Sequence, residues 1–340
     1  VARLAVALAA GWVATATAAA AVAAEDYAAA GDAIVRVEDR TVEDGSRARS
    51  LPVRLRVPQP CTADRPRAVV LFSHGLGGSR AGGERWGEHW AGHGLVVLHL
   101  QHPGSDESLW RGRSGGLTQA NLRAGATVEQ FLQRARDVGV AIDALARLSR
   151  EEPALACIDA SRVGMSGHSF GAQTTQAVAG QAFPAARAQD PGGPTALREQ
   201  RVAAAVAFSP SMRDDAPATR ASFAGIRVPF LSVTGSRDGD VVGTGVTPAL
   251  RRAVFDALPP GGAFLLWFDG AGHFVFNAGA GPVGPVRDVG VDVAALERAT
   301  RAITLAFWRS TLEGDAQAAA WLRGDGPRAL LGPKDEWLTR

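Results

Sequence analysis

A serine, a carboxylate and an imidazole stand in this chain in the order Ser169, Asp238, His273, the set needed to make an alcohol attack a carbonyl carbon. At neutral pH a serine hydroxyl is a weak nucleophile. A positioned imidazole must take its proton, and an acidic side chain must hold that imidazole in one tautomer and stabilise its charged form. Ser169 is the centre of Gly167-His168-Ser169-Phe170-Gly171, preceded by the run Val163-Gly164-Met165-Ser166 and followed by Ala172, Ala177 and Val178 at helical spacing. That context predicts a strand turning sharply into a helix, with glycine at 167 and 171 because a side chain there would block the approach of the two elements. The helix start then aims its free N–H groups at any oxygen that becomes negative beside the serine. A second match, Gly112-Arg113-Ser114-Gly115-Gly116, has no apolar strand before it and no helical period after it, and reads as a loop.

The partners of Ser169 follow from where later strands end. Asp238 comes directly after the apolar run 229–234, and His273 directly after the run 263–268. His273 is also the only histidine C-terminal to the serine turn, followed by Phe274 and Phe276. For the acid, Asp238 leads, with Asp240, Asp214, Asp215 and Asp269 as alternatives in neighbouring loops. Acyl transfer also puts negative charge on the carbonyl oxygen, so two N–H donors are expected: that of Phe170, and that of Leu76 in the loop His74-Gly75-Leu76-Gly77-Gly78. His74 reads as a brace for that loop and, with Trp110 and Phe274, as a candidate lining of the substrate pocket. His99 and His102 flank a long loop and either line the pocket or brace it. No cofactor is required, and Asp238-Gly239-Asp240 lacks the further ligands at loop spacing that a metal site needs.

These residues need a scaffold that brings distant loops to one place. Runs at 33–37 and 51–57 around Glu43-Asp44-Gly45-Ser46 predict an antiparallel hairpin. The continuous apolar runs 68–73 and 95–100, then 202–208, 229–234 and 263–268, suit strands covered on both faces. Helical patterns lie between and after them at 84–92, 126–148, 248–258 and 291–312, the clearest being Val128, Phe131, Leu132, Ala135, Val138, Ile142 and Leu145. Strand and helix in regular alternation predict a mostly parallel central sheet with helices on both faces. The segment 101–125 is too long for a plain connection and is expected to wall a pocket, whereas 209–227 is too short for a cap domain.

Composition excludes more than it identifies. With 46% hydrophobic residues a sizeable core is available, and a net charge of +2 with no dense basic run gives no support to nucleic-acid binding. Arg3, an apolar stretch to Val22 and the small residues Ala21-Val22-Ala23 read as a secretory signal over 1–24, with an uncleaved membrane anchor as the alternative. Residues 25–312 then form one catalytic domain with no stable membrane span, and 313–340 a helix and strap. A secreted or periplasmic destination permits disulfides. Cys61 and Cys157 each precede a strand, and if those strands are neighbours a bond is possible; two buried free thiols are the alternative.

With Phe72-Ser73-His74-Gly75-Leu76-Gly77, the helix bearing Arg134, Asp137, Asp143 and Leu145, the turn at Ser169, and His273 followed by Phe276, the chain resembles the α/β-hydrolase superfamily over about residues 52–312. More narrowly it resembles the dienelactone-hydrolase-like branch that includes the platelet-activating-factor acetylhydrolases. The resemblance implies an α/β-hydrolase fold, a Ser169–Asp238–His273 triad, Leu76 and Phe170 as oxyanion donors, and a small-molecule or lipid ester as substrate. Dienelactone hydrolases place a cysteine where this chain has Ser169, so their substrate is not carried over. Short-acyl or phospholipid esters are the substrates the acetylhydrolases suggest. The same triad in a peptidase or acyltransferase, or a silent hydrolase-like binding protein, are the competing readings.

Overall fold

The computed structural model describes residues 27–113, 115–116, 118–183, 197–279 and 290–340. Among these residues nine strands form one sheet in the order β1-β2-β4-β3-β5-β6-β7-β8-β9. The hairpin expected at the start is β1 (Val35–Asp44) and β2 (Arg49–Pro58), longer than the sequence suggested and antiparallel along their whole length. β2 pairs antiparallel with β4 (Val96–Leu100), and β4, β3 (Arg67–Ser73), β5 (Ile158–His168), β6 (Val202–Phe208), β7 (Phe230–Arg237) and β8 (Ala263–Gly272) run parallel. The tail, expected to be a helix and a strap, ends instead in β9 (Glu336–Thr339), antiparallel to β8. Its four residues have no period of their own; Trp337, buried against Phe264, draws them onto the edge.

Eight α-helices cover the described part of the sheet: α1 (Glu84–Gly92), α2 (Gln119–Gly125), α3 (Val128–Glu151), α4 (Phe170–Ala179), α5 (Pro217–Ala221), α6 (Pro248–Ala257), α7 (Val293–Leu312) and α8 (Ala316–Arg323). Side chains alternate across a strand, so β3 serves two cores. Ala68, Val70 and Phe72 pack with Trp86 and Trp90 of α1 and Trp308 of α7. Val69 and Leu71 face Phe131, Val138 and Ile142 of α3 and Val178 of α4. Both faces are therefore apolar, as a run without alternation demands, and each fully buried large side chain contributes about 1.5–3 kcal/mol. The segment 101–125, expected as a long loop walling a pocket, contains α2, capped by Thr118 accepting the N–H of Asn121.

Cys61 and Cys157 are bonded, across 96 residues of chain. The reason is the sheet: β3 and β5 are parallel neighbours, so the segments entering them lie at the same end, where Arg67 N–H donates to Cys157 O at 2.7 Å. The signal-like residues 1–24 lie outside the described residues, as does Ser114 of the second glycine-serine match. No helix among the described residues is long and apolar enough to cross a membrane.

Five histidines are largely buried and held neutral. Burial pulls His89, His99 and His168 down to about 3 and His102 to about 4, and takes His74 well below its ordinary range. The folded values lie below the unfolded one, so their stabilisation is complete above about pH 6.5 and is lost as pH falls towards the folded values. At pH 5 His89, His99, His102 and His168 each withhold a proton that the unfolded chain takes up, at a cost of about 2 kcal/mol per residue. Together these rival a typical domain stability of about 5–15 kcal/mol. The melting temperature is thus expected to fall steeply between pH 6.5 and 4.5, with proton uptake on unfolding. A flat profile over that window would show that the imidazoles are not held neutral.

Candidate active site

β5 delivers the chain into the serine turn and α4 takes it away. Ser169 sits at φ 58°, ψ −113°, a conformation that costs a non-glycine residue about 1–3 kcal/mol and is tolerated only where the surroundings enforce it. They do: its N–H donates to Phe208 O at 2.9 Å, anchoring the turn to β6. The flanking glycines have no room for a side chain. A Cβ at Gly171 would lie 1.9 Å from Ser73 O, and one at Gly167 would lie 2.4 Å from Gly171 O. The half-buried serine is thereby presented at the carboxyl end of the sheet.

The loops after β7 and β8 supply the other two groups. His273 Nε2 is 2.9 Å from Ser169 Oγ, and His273 Nδ1 is 2.7 Å from Asp238 Oδ1. With the carboxylate accepting the Nδ1 proton, Nε2 is left bare towards the hydroxyl. Asp238 is wholly buried, and burial alone would raise its pKa. The hydrogen bond to His273 and the charges of His273 and Arg251 outweigh that, so the carboxyl is held below its ordinary range. Thr234 Oγ1 donates to Asp238 Oδ2 at 2.7 Å. Arg251 of α6 places Nε 2.8 Å from Asp238 O and 2.9 Å from Oδ1, and Nη1 2.8 Å from Ser209 O.

The other aspartates weighed from sequence are spent elsewhere. Asp240 accepts the N–H groups of Val242, Gly243 and Gly245. Asp214 accepts from Thr219 and Ala216, Asp215 pairs with Arg220, and Asp269 accepts from Ser236.

The glycine loop after β3 lies against the serine: a Cβ on Gly75 would be 3.5 Å from Ser169 Cβ. His102 N–H donates to His74 Nε2 at 3.0 Å, so the ring proton is on Nδ1 and is given to Gly75 O at 2.6 Å. Gly78 N–H reaches the same oxygen at 3.0 Å. A peptide is planar, so fixing the Gly75 carbonyl aims the Leu76 N–H the opposite way, away from His74. Phe170 opens α4, where the first N–H groups have no acceptor within the helix. The two amides named from sequence thus belong to segments that meet at Ser169.

A cavity of about 370 Å³ opens here, lined by Leu76, Trp110, Leu122, Val242 and Phe274 around Ser169. Trp110 and Phe274 line it as expected, and Trp110 Nε1 donates to Gly77 O at 2.7 Å. His74 does not: it is fully buried beneath the loop and acts on the Gly75 carbonyl. His99 and His102 likewise brace from below, His99 Nδ1 lying 2.9 Å from Gly82 O.

Four contributors went unforeseen. His168 Nε2 lies 2.9 Å from His273 O, so the residue before the serine steadies the backbone of the imidazole. Arg251 and Thr234 hold the acid, though neither has a local motif. Ser73 Oγ, His102 Nε2, His102 Nδ1 and Asp137 Oδ2 form a second serine–histidine–aspartate chain, with both contacts at 2.9 Å. All three residues are fully buried, so it meets no substrate; Arg47 and Arg49 pair with its carboxylate. The Arg134 and Asp137 pattern within an otherwise apolar helix face was the one available signal for it.

No protein-family model matches this chain, and no curated protein matches it.

Proposed function

We propose that the protein is a cofactor-independent serine carboxylester hydrolase of the α/β-hydrolase superfamily, acting on short-acyl or phospholipid esters. The observation that carries this reading is the unbroken chain from Ser169 Oγ through His273 to Asp238 at the edge of an apolar cavity. The sequence of nucleophile after β5, acid after β7 and base after β8 supports the superfamily assignment. His273 Nε2 takes the Ser169 proton as Oγ bonds to the ester carbon, and the carbonyl electrons move to an oxygen facing the Leu76 and Phe170 amides. As the carbonyl re-forms, the ester C–O bond breaks and the leaving alkoxide receives the proton from His273. Water then repeats the cycle in place of serine, releasing the acid and restoring Ser169. The Cys61–Cys157 bond favours an exported protein.

A fluorophosphonate probe tests the nucleophile, because only an activated serine reacts quickly. The expected result is a single adduct on Ser169, with p-nitrophenyl acetate turned over faster than the matching anilide. Failure to label the folded protein would remove the proposal, and faster anilide cleavage would redirect it to amides.

A further inference from the structure

Helix α3 carries a guanidinium where its apolar face meets the core. Arg134 has no solvent exposure. Its nearest acidic neighbour on the helix, Asp137, is turned to His102, Arg47 and Arg49. Nε and Nη1 of Arg134 are buried and find no acceptor among the described residues. Such a group is expensive to bury, and an apolar side chain of similar volume would fill the space without that penalty. Packing alone therefore does not explain it.

What Arg134 touches does. Its Nη2 lies 2.6 Å from His74 O and 3.1 Å from His74 Nδ1. The Nδ1 proton is already given to Gly75, so Nη2 donates to the carbonyl. On its other side the guanidinium carbon is 4.6 Å from the centroid of the Phe170 ring. His74 aims the Leu76 amide, and Phe170 carries the second donor. Resting on the acyl-transfer reading above, we infer that Arg134 is a positioning residue for the oxyanion. It ties the loop presenting Leu76 N–H to the helix presenting Phe170 N–H, and it sets a positive charge behind both.

The cation survives its surroundings: burial pulls the guanidinium down to about 9, which leaves it charged at neutral pH. A fixed charge in a water-poor site favours the negative transition state more than the neutral ester. Its loss should therefore appear in kcat. Deleting one oxyanion donor costs about 100- to 1000-fold, and loosening two without deleting either should cost about 10- to 100-fold.

The experiment compares the full chain with Arg134→Met and Arg134→Lys, measuring kcat and KM for p-nitrophenyl acetate, affinity for a short alkylboronic acid, and thermal midpoint. The boronic acid forms a tetrahedral, negatively charged adduct on the serine and reads the same donors without turnover. For the methionine variant the expected result is kcat and boronate affinity both down about 10- to 100-fold, KM within about threefold, and a thermal midpoint no lower than the parent's. Lysine keeps the charge but not the planar contact, and should restore part of kcat. A purely structural role would move stability instead. The inference is overturned if a folded methionine variant keeps the parent's kcat and boronate affinity. If methionine prevents folding, the lysine variant decides in the same way, and failure of both to fold also overturns it. A parent protein that neither hydrolyses the ester nor binds the boronate would sink the acyl-transfer reading itself; an active parent with an unaltered methionine variant sinks only the role given to Arg134.

Discussion

Turnover of p-nitrophenyl acetate by a Ser169→Ala variant is expected to fall by about a millionfold, to the level that the oxyanion donors and binding alone provide. The hydroxyl is the atom that bonds to the acyl carbon, and the neighbouring strand hydroxyls are not placed to replace it. Ser73 is fully buried and its Oγ faces His102, while Ser166 is buried within β5. Folding should be unaffected. Alanine inherits the same backbone at φ 58°, the anchoring bond from the residue 169 N–H to Phe208 O is retained, and the half-buried side chain loses only a hydroxyl. Circular dichroism and thermal unfolding matching the parent, with fluorophosphonate labelling abolished, would complete the result. Undiminished turnover in a purified alanine variant would place the nucleophile elsewhere.

The second large effect is expected from Asp238→Asn, which changes one oxygen to nitrogen in a pocket closed to water. An amide that donates towards His273 Nδ1 forces the ring proton onto Nε2, which then faces Ser169 as a donor and cannot take its proton. A wrong tautomer of this kind costs about 10⁴-fold in kcat with little change in KM. Stability should also fall. Arg251 is 4% exposed and makes its one ion pair among the described residues with Asp238, so neutralising that group leaves a buried cation with only carbonyls, the Ser211 hydroxyl and the more distant charge of Asp240. The loss is about 3 kcal/mol. In the parent, Asp238 is held below its unfolded value, so its contribution is present above about pH 4 and lost as pH falls through the folded value. The asparagine variant should lack that segment of the acid profile while keeping the part due to the histidines. Retention of kcat would mean that His168 and the backbone suffice to orient His273.

What the chain determined unaided is local. Apolar runs without alternation specified strands buried on both faces. The period of Val128 to Leu145 specified α3, and the steric demand at Gly167 and Gly171 specified the turn that lifts Ser169. The order of serine, aspartate and histidine, each behind a strand, then limited the candidates to a few residues, because parallel strands bring their carboxyl ends together. The sequence ranked Asp238 first but left Asp240, two positions away, open; tertiary structure brought Asp238 to His273 and gave Asp240 to backbone amides. It alone assigned Arg251 to the acid, moved His74 from the cavity wall to the carbonyl beneath it, paired Ser73 with His102 and Asp137, and laid β9 on the sheet edge. The reason is one of range. Hydrophobic period and glycine sterics act between residues a few positions apart and so leave a mark in the order of amino acids, whereas a buried hydrogen bond depends on partners up to 214 residues away and leaves none.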